Sequence, residues 1–244
     1  MVPIAGGIAI VSFGDAIVTD PKDQPEPVQT STKTDDMDVC SVIRAGRPSA
    51  EDAEVLTDRI LQASWELLLQ IGFENFSIDK LAKYGRFGKP TIYARFPGKA
   101  ELLRAVLMKN IKERTRGLFE GVTHHHIDEA IPALCSDGVE FYHSPEGRLM
   151  ERLIDWLDIE TEDGGASMRG WSAEVAIHDI SELLERAVQR GEIRMSEIKT
   201  ASLFLMEGIC GHARLAEVQD KFDREPHLQW ATRYWAMIKK TFCF

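Results

Sequence analysis

A chain of 244 residues with 44% hydrophobic and 28% charged side chains is long enough to bury a sizeable core in one or two domains. Its 29 Lys and Arg stand against 39 Asp and Glu, a formal net charge of −10, so any nucleic-acid binding must be confined to a local basic face. Cys40, Cys135, Cys210 and Cys243 are far apart and form no CxxC, which excludes a zinc-ribbon or disulfide framework and suits reduced thiols in the cytoplasm.

Met1 to Val18 is apolar, but it lacks a basic leading region and Asp15 interrupts it. It makes a poor signal peptide and is too short and broken to span a membrane. Asp20 to Asp38 is rich in Pro, Thr, Asp and Gln and reads as disordered linker, so residues 1–40 are expected to form a disordered tail. Translation starting at Met37 is an equal reading, and removal of Met1 to Asp36 is expected to leave the folded dimer intact. Arg44 and Arg47 follow in a short basic arm. Such arginines can reach into a narrow minor groove, or the arm is a plain linker; both readings stand.

Ser49 to Ile71 is the first long helix, with Leu56, Ile60, Ala63, Leu67 and Ile71 as one apolar stripe and Gly72 suited to end it. Ser77 to Phe96 then reads as a short helix, a tight turn and a second short helix. Ser77 is placed as an N-cap, and Ile78, Leu81 and Ala82 form an apolar face. Gly85 to Gly88 is the turn, and Pro90 falls in the first turn of the second helix, where its missing N–H costs nothing. Ile92 and Phe96 can pack inward while Lys89, Thr91 and Tyr93 point elsewhere. Two short helices in this order are a helix-turn-helix, whose second helix enters the major groove. From Lys80 to Lys99 the ionised side chains are Lys80, Lys83, Arg86, Lys89, Arg95 and Lys99, all positive. Arg44 to Arg116 holds 14 basic and 9 acidic residues, hence +5, leaving −15 for the remainder.

Gly72-Phe73, Ser77-Ile78, Leu81-Ala82, Lys89-Pro90-Thr91-Ile92-Tyr93, Phe96-Pro97-Gly98-Lys99 and Glu101-Leu102 together resemble the TetR-like transcriptional regulators, over about Ala53 to Leu107. The resemblance implies an all-α protein, with a helix-turn-helix DNA-binding domain at 41–99 and a helical effector-binding and dimerisation domain at 100–244. It implies that Thr91 and Tyr93 touch phosphates or bases and that Lys99 grips the DNA backbone. The expected DNA-binding set is Arg44, Arg47, Ser77, Arg86, Lys89, Pro90, Thr91, Tyr93, Arg95 and Lys99. Three positions depart from the family pattern: Arg86 replaces a turn glycine, Gly88 a capping Ser or Thr, and Arg95 a His. A left-handed conformation at Arg86 would cost about 1 kcal/mol.

A fourth helix is expected from Lys99 to about Phe119, and the resemblance gives it the role of transmitting movement between the domains. Neighbours in His124-His125-His126 point about 100° apart on a helix, so they do not converge on a metal. Five more helices follow, roughly Asp128–His143, Pro145–Ile159, Ser167–Gln189, Ser196–Asp220 and Pro226–Phe242. They are rich in aromatic and sulfur side chains. The resemblance implies an effector cavity, for which Phe119, Phe141, Tyr142, Trp156, Trp171, His178 and Phe204 are the candidates; ordinary core packing is the rival reading. His178, Arg152 and Glu207 are the candidate buried polar groups, and an apolar effector is expected. The apolar surface of the last two helices, with Gly208 and Gly211, exceeds what one partner needs and points to a homodimer. Ser144-Pro145-Glu146-Gly147 and Arg190-Gly191-Glu192-Ile193-Arg194 are similar to the C-terminal domain of AefR-type members.

The expected function is a transcriptional repressor that binds an inverted-repeat operator, with no catalytic site, cofactor, metal or membrane partner. A helical interaction module without DNA binding and a metal-dependent enzyme using the His run are the alternatives.

Overall fold

The computed structural model describes residues 50–160, 167–218 and 226–244. Among them lie nine α-helices: α1 Ala50–Ile71, α2 Ile78–Gly85, α3 Lys89–Tyr93, α4 Lys99–Val122, α5 Ile127–His143, α6 Pro145–Glu160, α7 Met168–Gln189, α8 Ile198–Val218 and α9 His227–Phe242. No strand forms among the described residues, and an isolated bridge pairs Met195 with Cys243. The expected tail, Arg44 and Arg47 fall outside the described residues.

Several helix ends have a local cause. Gly72 takes φ +76°, which no side chain adopts cheaply, and ends α1. A single 3₁₀ turn at Phe73–Asn75, which periodicity does not reveal, then folds Phe73 inward. The Ser77 hydroxyl accepts the Lys80 N–H at 3.3 Å and caps α2. His126, the last of the three histidines, caps α5 through Nδ1, which accepts the Asp128 N–H, while His124 and His125 are exposed. The Ser144 hydroxyl accepts the Gly147 N–H at 3.0 Å at the start of α6. Asp158 accepts the Met168 N–H at 2.6 Å and the Arg169 N–H at 3.2 Å at the start of α7.

Two hydrophobic clusters hold these helices. The first joins Ile60, Leu68, Phe73, Leu81, Ile92 and Phe96 to Leu102, Val106 and Leu107 of α4 and to Leu149, Leu153 and Leu157 of α6. The expected domain boundary after Lys99 therefore falls within one continuous core. The second cluster joins Val122, Ile131, Leu134, Leu184, Leu205, Trp235 and Ile238 from α4, α5, α7, α8 and α9. At fully buried positions, each large aliphatic side chain is worth roughly 1.5–3 kcal/mol, so α4, which feeds both clusters, is fastened at both ends. No described helix is long and apolar enough to cross a membrane.

Candidate nucleic-acid interface

The turn between α2 and α3 is closed by the backbone. The Arg86 and Phe87 N–H groups both donate to the Ala82 carbonyl, the latter at 3.0 Å. Arg86 itself sits at φ 54°, ψ 40°, the sole non-glycine with positive φ among the described residues. The expected left-handed position is therefore real and is occupied by an arginine. An added Cβ at Gly85 would meet the Phe87 ring at 2.0 Å, so glycine there lets Phe87 fold back over the end of α2.

Helix α3 has five residues and opens from Gly88, which offers no side-chain cap, with Pro90 in its first turn. Ile92 is fully buried and Phe96 nearly so, which fixes the rotation of α3 against α1 and α2. That rotation leaves Lys89, Pro90 and Tyr93 exposed and Thr91 half-buried, with Tyr93 at 49% exposure. Lys83, in the last turn of α2, and Arg86, just after it, are also exposed.

Three basic side chains have partners that sequence reading missed. The Lys89 ammonium pairs with the Asp79 carboxylate at 2.7 Å, and this bond and charge raise its pKa. Arg95 donates from Nε to the Thr57 hydroxyl and from Nη1 to the Thr91 carbonyl, each at 3.1 Å, so it clamps α3 to α1. Lys80 donates to the Asn75 carbonyl at 2.8 Å. Asp79 stands one residue before the all-positive run and Thr57 38 residues before Arg95, so only the former was within reach of a charge count. Ser77 spends its hydroxyl on the cap. Lys99 projects over aromatic rings, at 4.7 Å from the Phe73 centroid and 5.5 Å from that of Trp156.

This geometry presents a short helix with an exposed Lys, Pro and Tyr face, seated on two others by Ile92 and Phe96. Residues 60–106 match the family model described as bacterial regulatory proteins, tetR family. The region is a TetR-family DNA-binding domain, and the chain is a transcriptional regulator built on it. The regulator is 20% identical to the HTH-type transcriptional regulator SrpR of Pseudomonas putida over 195 residues, covering 80% of this chain and 90% of that one. It is 25% identical to the HTH-type transcriptional regulator YdeS of Bacillus subtilis over 190 residues, covering 75% and 89%. Its fold is similar to that of a TetR-family transcriptional regulator from Mesorhizobium loti, with a TM-score of 0.63 at 14% identity over 79% of this chain and 98% of the other. Regulators of this family bind DNA as dimers and bind small molecules.

Beyond the DNA-binding domain, a cavity of about 210 Å³ lies among α4, α5, α6, α7 and α8. Phe119, Phe141 and Tyr142 line it, as do Leu118, Leu134, Met150, Ile154, Ile180, Met206 and Ile209. Its polar groups are Thr115, Glu151, Ser172, Cys210 and the Tyr142 hydroxyl. The Glu151 carboxylate faces Tyr142 at 3.5 Å, Arg169 at 3.3 Å and Arg214 at 3.8 Å, all through Oε2. A groove of about 360 Å³ between α4 and α7 carries Lys112, Arg116, Arg186, Glu120, Asp179 and Glu182, and charges of both signs suit solvent better than an apolar guest.

Four cavity candidates lie elsewhere. Trp156 packs on Phe73 with ring centroids 5.3 Å apart, in the core shared with the DNA-binding domain. Trp171 packs on the same core, with Lys112 at 5.9 Å from its ring. Phe204 is half-exposed on α8 and meets Phe242 at 5.6 Å. His178 is exposed and faces Glu182 at 3.7 Å; Arg152 and Glu207 are exposed too, so none of these three is a buried polar group. Each sits on the solvent side of an amphipathic helix, a side that composition does not distinguish.

Proposed function

We propose that the regulator is a ligand-responsive repressor that acts in the cytoplasm as a homodimer on an inverted-repeat operator. The observation that carries this reading is the sharing of α4. Its first residue, Lys99, stands beside the helix-turn-helix, and Ile111, Thr115, Leu118 and Phe119 farther along it wall the cavity. A molecule seated against those residues acts on the same rigid element that supports α3. The apolar walls suit a neutral aromatic or lipophilic effector, which releases DNA by binding more tightly to the shape that no longer fits it.

Phe204, Leu215, Leu228 and Met237 of α8 and α9 are exposed apolar side chains. They support dimerisation through these two helices. Gly208 is consumed within the chain, since an added Cβ would meet the Tyr234 ring at 2.3 Å, whereas Gly211 has nothing within 4 Å and leaves room for a partner's helix. In the DNA complex, Arg86, Lys89, Pro90, Thr91 and Tyr93 supply contacts, Lys99 grips a backbone phosphate, and Arg95 acts through its clamp on α1.

The test is a tryptophan-fluorescence screen of small lipophilic compounds, followed by competition with a duplex bound by the protein. A compound that both changes the emission and displaces DNA supports the reading. Compounds that bind without shifting DNA affinity would refute the coupling, and a salt-independent DNA affinity would refute the phosphate contacts.

A further inference from the structure

Lys99 and Trp156 come from different parts of the chain, and the structure places them together. Lys99 is the first residue of α4 and follows the helix-turn-helix directly. Trp156 lies in the last two turns of α6, 57 residues later, on a helix that also walls the cavity with Met150, Glu151 and Ile154. The Lys99 ammonium stands 4.7 Å from the Phe73 ring centroid, 5.5 Å from Trp156 and 6.0 Å from Phe76. Phe73 and Trp156 are themselves in tilted contact at 5.3 Å. Three aromatic rings therefore surround one flexible cation.

A free lysine loses several rotamers when it grips a phosphate, and that loss weakens the grip. Ring faces attract an ammonium without neutralising it, so they can hold it in one direction and still leave its charge for an anion. Phe73 and Phe76 belong to the DNA-binding domain and are buried at 8% and 4% exposure. Trp156 is the wall that comes from outside that domain.

We propose that Trp156 is a positioning residue for DNA binding: it completes an aromatic cage that aims Lys99 at the DNA backbone, so that the grip depends on how α6 is seated. This rests on the reading that Lys99 contacts a phosphate. Because α6 carries Glu151 and Ile154 into the cavity and Trp156 into the cage, a displacement of α6 by a bound molecule moves one wall of the cage. The charge on Lys99 is unchanged, and its direction is lost.

The experiment is a double-mutant cycle on the full chain, with Trp156→Leu, Lys99→Gln and both together, against a duplex selected by the wild-type protein from a random-sequence pool. Trp156→Leu keeps an apolar filler and removes the ring face. It is expected to weaken binding about three-fold per subunit, hence about ten-fold for a dimer on its site. Trp156→Phe should recover most of that loss. Lys99→Gln should weaken binding and reduce the steepness of its salt dependence, and in that background Trp156→Leu should have no further effect. Equal losses from Trp156→Leu with and without Lys99 would overturn the proposal, because Trp156 would then act through packing alone. An unchanged salt dependence in Lys99→Gln would instead overturn the phosphate contact on which the proposal rests. Melting curves of each variant show whether a loss of binding is a loss of fold, and Trp156→Met, which also removes the ring face, takes the place of Trp156→Leu in the cycle if the leucine variant unfolds.

Discussion

Arg86 offers a measurement in which backbone strain and DNA contact can be separated. It occupies φ 54°, ψ 40° at the end of α2. For a residue with a Cβ, the left-handed conformation costs about 1–2 kcal/mol, and glycine avoids that cost. Glycine also enlarges the unfolded ensemble, which offsets about 0.5–1 kcal/mol. Arg86→Gly is therefore expected to stabilise the protein by about 0.5–1 kcal/mol, or about 1–4 °C in Tm for a domain of this size. Arg86→Ala keeps the strained Cβ and gains nothing, so it should melt at or below the wild type. Both variants lose the same exposed charge, so both should bind duplex DNA more weakly and with a shallower salt dependence. The assays are thermal unfolding by circular dichroism and fluorescence anisotropy with labelled duplex at several salt concentrations. If Arg86→Ala is as stable as Arg86→Gly, the left-handed cap carries no energetic cost and the reasoning fails. If the two variants differ in DNA affinity while their melting differs as expected, turn geometry rather than charge controls recognition.

Tyr93→Phe removes a hydroxyl from a side chain that is 49% exposed on α3; DNA binding should weaken by about 1 kcal/mol with Tm unchanged, and a large fall in Tm would show a structural role instead. Asp79→Asn releases Lys89 from a 2.7 Å ion pair and removes a carboxylate beside the recognition helix, so low-salt DNA affinity should rise and the gain should shrink as salt is added; a loss of affinity would show that the pair orients Lys89 productively. Burial pushes the Asp158 carboxyl up, but the Met168 and Arg169 N–H groups and the Ser167 hydroxyl outweigh it and hold the pKa below the usual carboxylate range. A depressed pKa stabilises the fold above the unfolded value and loses that contribution as pH falls through the folded one. Asp158→Ala should therefore cost about 1 kcal/mol near neutral pH, and the difference from wild type should fade below about pH 4; a pH-independent difference would exclude the cap as its source.

The helices and the DNA-binding unit were legible in the residues alone, because they follow from contacts within a few positions. The Ser77 cap, the Gly72 stop, the left-handed strain at Arg86 and the inward pair Ile92 and Phe96 are all local, and helix limits lie within about three residues of those expected from periodicity. The 3₁₀ turn at Phe73–Asn75 escaped because three residues carry no period. Which helix each face meets emerged from the packing alone. Periodicity marks a side chain as inward without naming its neighbour, so Phe119, Phe141 and Tyr142 reach the cavity while Trp156 and Trp171 pack on the core shared with the DNA-binding domain. The same holds for charge. A count of positive residues cannot show that Arg95 is spent on Thr57 or that Lys99 stands among three rings, because each partner arrives through the packing of a separate element.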